Sequence, residues 1–474
     1  MTGWPSAWTD PAGGHLIPAG RRAAGRLAPP PSKSLTHRAL NLALLAGQEL
    51  IVEGPLEAED TLLFRAALET LGWTCHPEAE PSAPPRHPEA EPAPAGAAEG
   101  SRRSPSPAAA AAPAWRLVPG PRPERAEIHC GNAGTMFRFL VAALAATPGT
   151  WRLDGVPRLR ERPVGPLADA LAALGAEIEW QGAPGHAPLV VHGRRLAGGR
   201  VRLDAGESSQ YLSALLMAAT TAAGPVEIDV PRLTSAPYVD LTLDLLARFE
   251  GRVEPTADGF RVEPGPLASP GRLRIEPDLS AACYPAAAAA LTGGTVVLEG
   301  VDPASRQGDR AFLDLLAEMG AEVRWRGSGA AGEVEVRGAA PLRALDADLS
   351  SLPDQVTTLA ALAPFARGTT RIRNVAHLRI KESDRLAAMA RELARLGVPI
   401  EEHPDALVVP GVWADAPPPE PPSPIPVDSH DDHRVAMSLA LTGLRRPGTL
   451  ITRPEVVAKS YPGFWRDFAA LLGE

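Results

Sequence analysis

Lysine is nearly missing from this 474-residue chain: Lys33, Lys381 and Lys459 stand against 44 arginines. Arginine therefore supplies bare positive charge almost everywhere. The three exceptions point to tasks suited to an ammonium, a compact charge with a tunable pKa, rather than to a guanidinium that stays protonated. Cysteine is equally scarce. Cys75, Cys130 and Cys283 form neither a paired framework nor a CxxC, so a reducing cytoplasm is the expected compartment. No apolar run reaches the ~18 residues of a membrane span, and MTGWPSAWTDPAGG has no basic stretch followed by an apolar core, so no secretory signal is expected. A net charge of −9 argues against nucleic acid or a membrane surface as partner. HExxH, HxxEH, GxGxxG and the GxxxxGK phosphate loop are all lacking, so the expectation is no metal and no dinucleotide or other cofactor.

What is present reads as a globular chain, 45% hydrophobic and 22% charged, long enough for two or three domains. One stretch stands apart. From His76 to Ala114 the sequence is rich in Pro, Ala and Glu with no aromatic residue, and is expected to be a disordered insertion outside the fold.

The organising signal is an internal repeat. Six segments, starting at Gly47, Gly149, Gly224, Gly294, Gly368 and Gly448, each combine a strand-like run, a polar loop and an amphipathic helix ending near glycine. Their starts lie 102, 75, 70, 74 and 80 residues apart, and the one long interval contains the insertion. Before each copy comes a second helix, apolar nearly all round, such as NAGTMFRFLVAALAATPG, which suits the middle of a domain. These inner helices open on Ser, Asn or Asp, the usual N-cap residues.

Three copies precede the Pro/Gly-rich stretch Glu263 to Pro277 and three follow it. The expected fold is α/β: two similar domains, 31–272 and 273–474, with residues 1–30 a partly flexible segment joining the second. Buried parallel helices in each would aim their N-termini, with free N–H groups and partial positive charge, at an interdomain cleft. The alternative is a repeat array with no site.

Polar residues concentrate where that cleft would lie: Lys33 and Ser34, Asn132 and Thr135, Ser208, Ser209 and Gln210, then Asp354, Asp432, His433 and Arg434 at helix starts. Loops add Arg162, Ser235, Tyr238, Lys381, Glu382, Arg385 and Lys459. Singly, each has a structural explanation, Ser208 as a cap or Glu382 with Arg385 as a surface pair. Together they form a set of cations and hydroxyls suited to phosphate and carboxylate, with a few carboxylates for proton transfer.

PPSKSLTHR, GNAGTMFR, RLRERPVG, SSQYL, SAPY, RIKESDR, DDHR and AKSYPG, in this order, closely resemble the 5-enolpyruvylshikimate-3-phosphate synthase family of enolpyruvyl transferases. The resemblance implies two domains of three βαβαββ units each, an inside-out α/β barrel arrangement. It implies transfer of the enolpyruvyl group of phosphoenolpyruvate to the 5-hydroxyl of shikimate 3-phosphate, releasing phosphate, a step of aromatic amino-acid biosynthesis. By matching motif, Lys33, Ser34, Arg38, Ser208, Ser209, Gln210, Ser235, Tyr238, Asp354 and Lys381 would contact shikimate 3-phosphate. Lys33, Asn132, Gly134, Arg162, Gln210, Arg385, His433, Arg434 and Lys459 would hold phosphoenolpyruvate. Lys33, Asp354, Glu382 and Lys459 would be catalytic, Asp354 as base and Glu382 as proton donor, and the protein would act as a monomer.

Three positions depart from the family pattern: Pro31 for glycine, Phe139 for proline, and His377 for asparagine. Gly134 keeps the glycine that leaves room for glyphosate in this family, so sensitivity is expected. The sister enzymes acting on UDP-N-acetylglucosamine carry a reactive cysteine in the loop matching VPRLRERPVG, and this loop has none. A catalytically dead homologue is disfavoured by retention of Lys33, Asp354, Glu382 and Lys459.

Overall fold

The computed structural model describes residues 8–10, 13–78, 113–338, 341–416 and 418–474. The six inner helices form where the apolar runs lie: Lys33–Ala46, Gly134–Ala145, Ser209–Ala219, Leu279–Thr292, Val356–Leu362 (after a tight turn, Pro353–Gln355) and His433–Gly443. Their burial follows from their composition. Phe137, Leu140 and Leu144 of the second are fully buried, each stabilising by about 1.5–3 kcal/mol. Each inner helix has an amphipathic companion, the clearest being Arg385–Arg395 and Pro237–Arg248, which buries one face only.

Each unit's strands pair in a shared order. In the second, Arg125–His129 lies parallel to Gly149–Asp154, which runs antiparallel to Leu189–Gly193 and so onto Glu177–Trp180. Five units have four such strands; the last has three, with His15–Leu16 on its edge. Two cores result, one of residues between Leu35 and Ile275, the other of Trp8 to Ala23 with Leu279 to Leu472.

The halves exchange strands. Gly25–Leu27 precedes the first half's first helix but pairs with Thr295–Glu299 of the second half. Arg272–Arg274 precedes the second half's first helix yet pairs with Leu50–Glu53 of the first. The boundary expected at 272/273 therefore moves past Ile275, because the strand that closes the first sheet is the last thing the chain makes before it crosses. The two crossings touch: Ser32 N–H donates to the Glu276 carbonyl at 2.8 Å and Asp278 N–H to the Pro30 carbonyl at 2.7 Å. Pro31 sits in this extended crossing, where its missing N–H costs nothing and its fixed φ fits.

The insertion also begins later and ends earlier than its composition suggested. Trp73–Pro77 and Ala114–Pro119 are paired antiparallel strands, with Pro77 opposite Trp115 and Glu78 N–H on the Ala114 carbonyl. His76, Pro77 and Ala114 thus belong to a sheet; the rest of the expected disordered segment, 79–112, lies outside the described residues. Among the described residues no helix is long and apolar enough to cross a membrane.

Candidate active site in the cleft

Five of the six inner helices bring their first turns to one cavity between the halves. The first half contributes Lys33, Ser34, Arg38, Thr135, Arg162, Ser208, Ser209, Gln210, Ser235 and Tyr238. The second half contributes Asp354, Lys381, Glu382, Arg385 and Arg434. Asn132 and Lys459 line an adjoining hollow that shares Glu382 with the cavity. Gly134 stands behind Arg162: a Cβ there would lie 2.4 Å from the guanidinium Nη2, so its lack of a side chain is what admits the arginine. Two expected residues are placed differently. His433 is fully buried, lines neither space, and its ring nitrogens have no hydrogen-bond partner among the described residues. Arg38 is spent largely on structure, donating to Thr242 Oγ1, the Ser34 carbonyl and the Tyr238 carbonyl while lying 5.4 Å from the Phe139 ring centre.

Capping explains which helix ends are open. Ser32, Ser208, Asp278 and Asp432 each accept a backbone N–H of their own first turn. The Gly134 helix has no such cap, since Ala133 and not Asn132 occupies the N-cap position. The Gly134 N–H turns back onto the Asn132 carbonyl at 3.0 Å, while no side-chain cap competes for the N–H groups of Thr135 and Met136, which leaves that helix end open to an anion beside Arg162.

The charges are strongly linked. Arg385 reaches Asp354 at 3.1 Å, Glu382 at 2.8 Å and Asp432 at 2.8 Å, while Arg434 reaches Asp354 at 2.6 Å. Burial alone would raise the Asp354 carboxyl, but Arg434 and Arg385 outweigh it and hold it at about 2. Glu382 is likewise held well below the carboxylate range, burial being overcome by Arg162, Arg385 and Lys459. The Tyr238 hydroxyl sits 2.8 Å from Asp354 and 3.0 Å from Asp309, with one proton to give. Burial, together with the neighbouring Asp354, pushes Asp309 up to about 6. Lys381 is brought down to about 7 by burial and by Arg138 and Arg162. His377, packed below it, falls to about 3 through burial and Lys381, and is neutral.

Three residues of the site were not singled out from sequence. Asp60 accepts from Lys459 at 2.8 Å and from Lys33 at 3.2 Å, joining lysines of opposite halves. Arg138 holds Gln210 Oε1 at 2.9 Å. Asp309 ties Tyr238 to Ser280 and Gln355. Only Arg138, inside the GNAGTMFR motif, carried a signal that could have found it.

The paired three-unit α/β fold is shared by the enolpyruvyl transferase NikO from Streptomyces tendae, 20% identical, with a TM-score of 0.72 over 96% of each chain. The EPSP synthase from Acinetobacter baumannii matches with a TM-score of 0.71 at 26% identity, over 96% of this chain and 97% of that one. The family model for EPSP synthase (3-phosphoshikimate 1-carboxyvinyltransferase) matches residues 17–93 and 116–468. A 3-phosphoshikimate 1-carboxyvinyltransferase from Syntrophobacter fumaroxidans is 42% identical, covering 94% of this chain and 96% of that protein. One from Methanoculleus marisnigri is 40% identical over 94% and 95%. The chain belongs to the EPSP synthase family.

Proposed function

We propose that the protein transfers the enolpyruvyl group of phosphoenolpyruvate to the 5-hydroxyl of shikimate 3-phosphate, releasing phosphate, within aromatic amino-acid biosynthesis. The observation that carries this reading is the union, in one cavity, of two carboxylates bridged by Arg385 with a ring of cations from both halves. The reaction needs a proton on the methylene carbon of phosphoenolpyruvate, which leaves positive character at C2 for the hydroxyl to attack. The tetrahedral adduct then loses that proton and phosphate to give the enol ether. Acid, base and anion clamp are each supplied.

Asp354 is the base for the 5-hydroxyl, since its low pKa keeps it ionised at neutral pH. Glu382 is the proton donor. It is ionised in the empty cleft, but the phosphate and carboxylate of phosphoenolpyruvate would neutralise Arg162, Arg385 and Lys459, the groups that depress it, and so raise it towards protonation. Lys33, Gln210, Arg162, Asn132 and the open Gly134 helix end hold the phosphate side, with Arg385, Arg434 and Lys459 on the carboxylate, where guanidinium forks pair bidentately. Lys33, Ser34, Arg38, Ser208, Ser209, Gln210, Ser235, Tyr238, Asp354 and Lys381 receive shikimate 3-phosphate. His433 acts behind this surface as a neutral packing residue under the phosphate end, its pKa pushed well down by burial and by Lys33. The reading includes a monomer acting in the cytoplasm; in its support, each chain contains both walls of the cleft, so the site needs no second copy.

Asp354→Asn and Glu382→Gln separate the roles. Each should cut kcat by at least ~100-fold, the usual range for a proton-transfer group, with KM changed less than about threefold. A steady-state kcat within threefold of the parent for either variant contradicts its assignment.

A further inference from the structure

The loop that carries Lys381 and Glu382 is held partly from the other half of the molecule. It follows the turn Ala376–Ile380, whose closing residue Lys381 is extended and makes no backbone capping bond back into the turn. Arg158, in the short helix Pro157–Arg160 of the first half, spans the cleft to them. Its Nε donates to the Lys381 carbonyl at 3.0 Å, and its Nη2 donates to the Lys381 and Arg379 carbonyls at 2.9 and 3.1 Å. A cation on carbonyls at the end of a turn is where partial negative charge favours it. Four residues further on, Arg162 approaches the Glu382 carboxylate at 3.6 Å. One first-half loop thus grips the second-half loop twice, main chain and side chain. Within its own half the loop is tied by side chains: Ser383 donates to Asp432 at 3.1 Å and Arg385 donates to Glu382 at 2.8 Å. Arg158 is partly exposed, pairs with Glu161 at 2.7 Å, and lines the outer hollow rather than the cavity.

We propose that Arg158 is a positioning residue: a cap supplied across the cleft that fixes the Lys381–Glu382 loop only when the halves are closed. Opening would strip both carbonyls of their donor and loosen the main chain that carries Lys381 and Glu382, so closure and site assembly become one event. The kinetic part of this inference rests on the proposed function; its structural part does not.

The test is Arg158→Gln in the full chain, compared with the parent and with Arg158→Lys. Hydrogen–deuterium exchange of the substrate-free proteins should show amides of residues 381–383 exchanging about tenfold faster in Arg158→Gln, the scale of losing charge-assisted hydrogen bonds. The strand Glu322–Arg326, in a different sheet of the second half, should be unaltered. KM for both substrates should rise by about tenfold while kcat falls less, and Arg158→Lys should recover less than half the loss because an ammonium lacks the planar fork. Exchange at 381–383 equal to the parent overturns the proposal, as does acceleration spread over the whole second half, which would signify a general loss of folding. If the parent protein fails to turn over the two substrates, the functional reading falls while the exchange experiment still decides the latch.

Discussion

At the scale of single residues, the two lysines that meet at Asp60 define the site's demands. Asp60 is buried, and although burial opposes ionisation, Lys459 and Lys33 hold it at about 2. A guanidinium at position 33 would be bulkier and would hold its donors rigidly in one plane, so it could not turn one donor onto Asp60 and another out of that plane towards substrate as a compact ammonium can. Lys33→Arg should therefore keep the thermal midpoint within a few degrees but lower kcat by at least ~100-fold; near-normal kcat in a phosphate-release assay would refute the special role of the ammonium. Lys381 titrates. Its ordinary value of 10.5 falls to about 7, so between pH 7 and 10.5 the unfolded chain binds more protons than the folded one, and the stability of the substrate-free protein rises with pH across that window. A phosphate beside it restores the charge. Binding of shikimate 3-phosphate at pH 8 should thus take up roughly half to one proton, read by calorimetry in buffers of different ionisation enthalpy, and Lys381→Met should abolish the uptake. Zero uptake by the parent protein contradicts the depressed lysine. The lysines were legible in the sequence because each departs from its compositional background. Asp60 was not, since an acid in the first turn of a helix reads as a complement to the helix dipole, and its meaning depends on Lys459, 399 residues away.

At the scale of elements, helix starts and loop tips were readable because a polar residue at the head of an otherwise apolar helix has few local reasons to be there. Six inner helices and their amphipathic companions form where the periodicity placed them. What the pattern could not give was which caps would be made. Asn132 looks like a cap, but Ala133 takes that position and the helix end stays open. Nor did composition mark the edges of the Pro/Ala segment, because His76, Pro77 and Ala114 are unremarkable strand residues whose pairing depends on Arg116 and Trp115. The hairpin itself closes at Glu78 and Ala114. Replacing residues 79–112 with a four-residue Gly/Asn turn should leave kcat within about twofold and the melting temperature within a few degrees, because closure entropy changes only slowly with the length of a connection. Loss of more than half the activity would show that the segment serves the site.

At the scale of the whole molecule, the repeat arithmetic led to two halves, while strand exchange between them was invisible to it. A three-residue strand such as Arg272–Arg274 carries too little pattern to say which sheet it will join. The exchange ties the halves at paired crossings beside Lys33, whose N–H donates to the Asp278 side chain at 3.0 Å. The crossing between the halves and the first residue of the site are therefore neighbours, and the walls of the cleft meet through Lys459 on Asp60 and Arg162 near Glu382. All of this architecture serves one transfer between two anions. The decisive measurement is phosphate release by the purified protein given phosphoenolpyruvate and shikimate 3-phosphate, with no metal or nucleotide added, beside a parallel reaction with UDP-N-acetylglucosamine as acceptor. The account predicts stoichiometric phosphate and enol ether with the first acceptor and none with the second; no turnover with shikimate 3-phosphate, or turnover only with the nucleotide sugar, would contradict it.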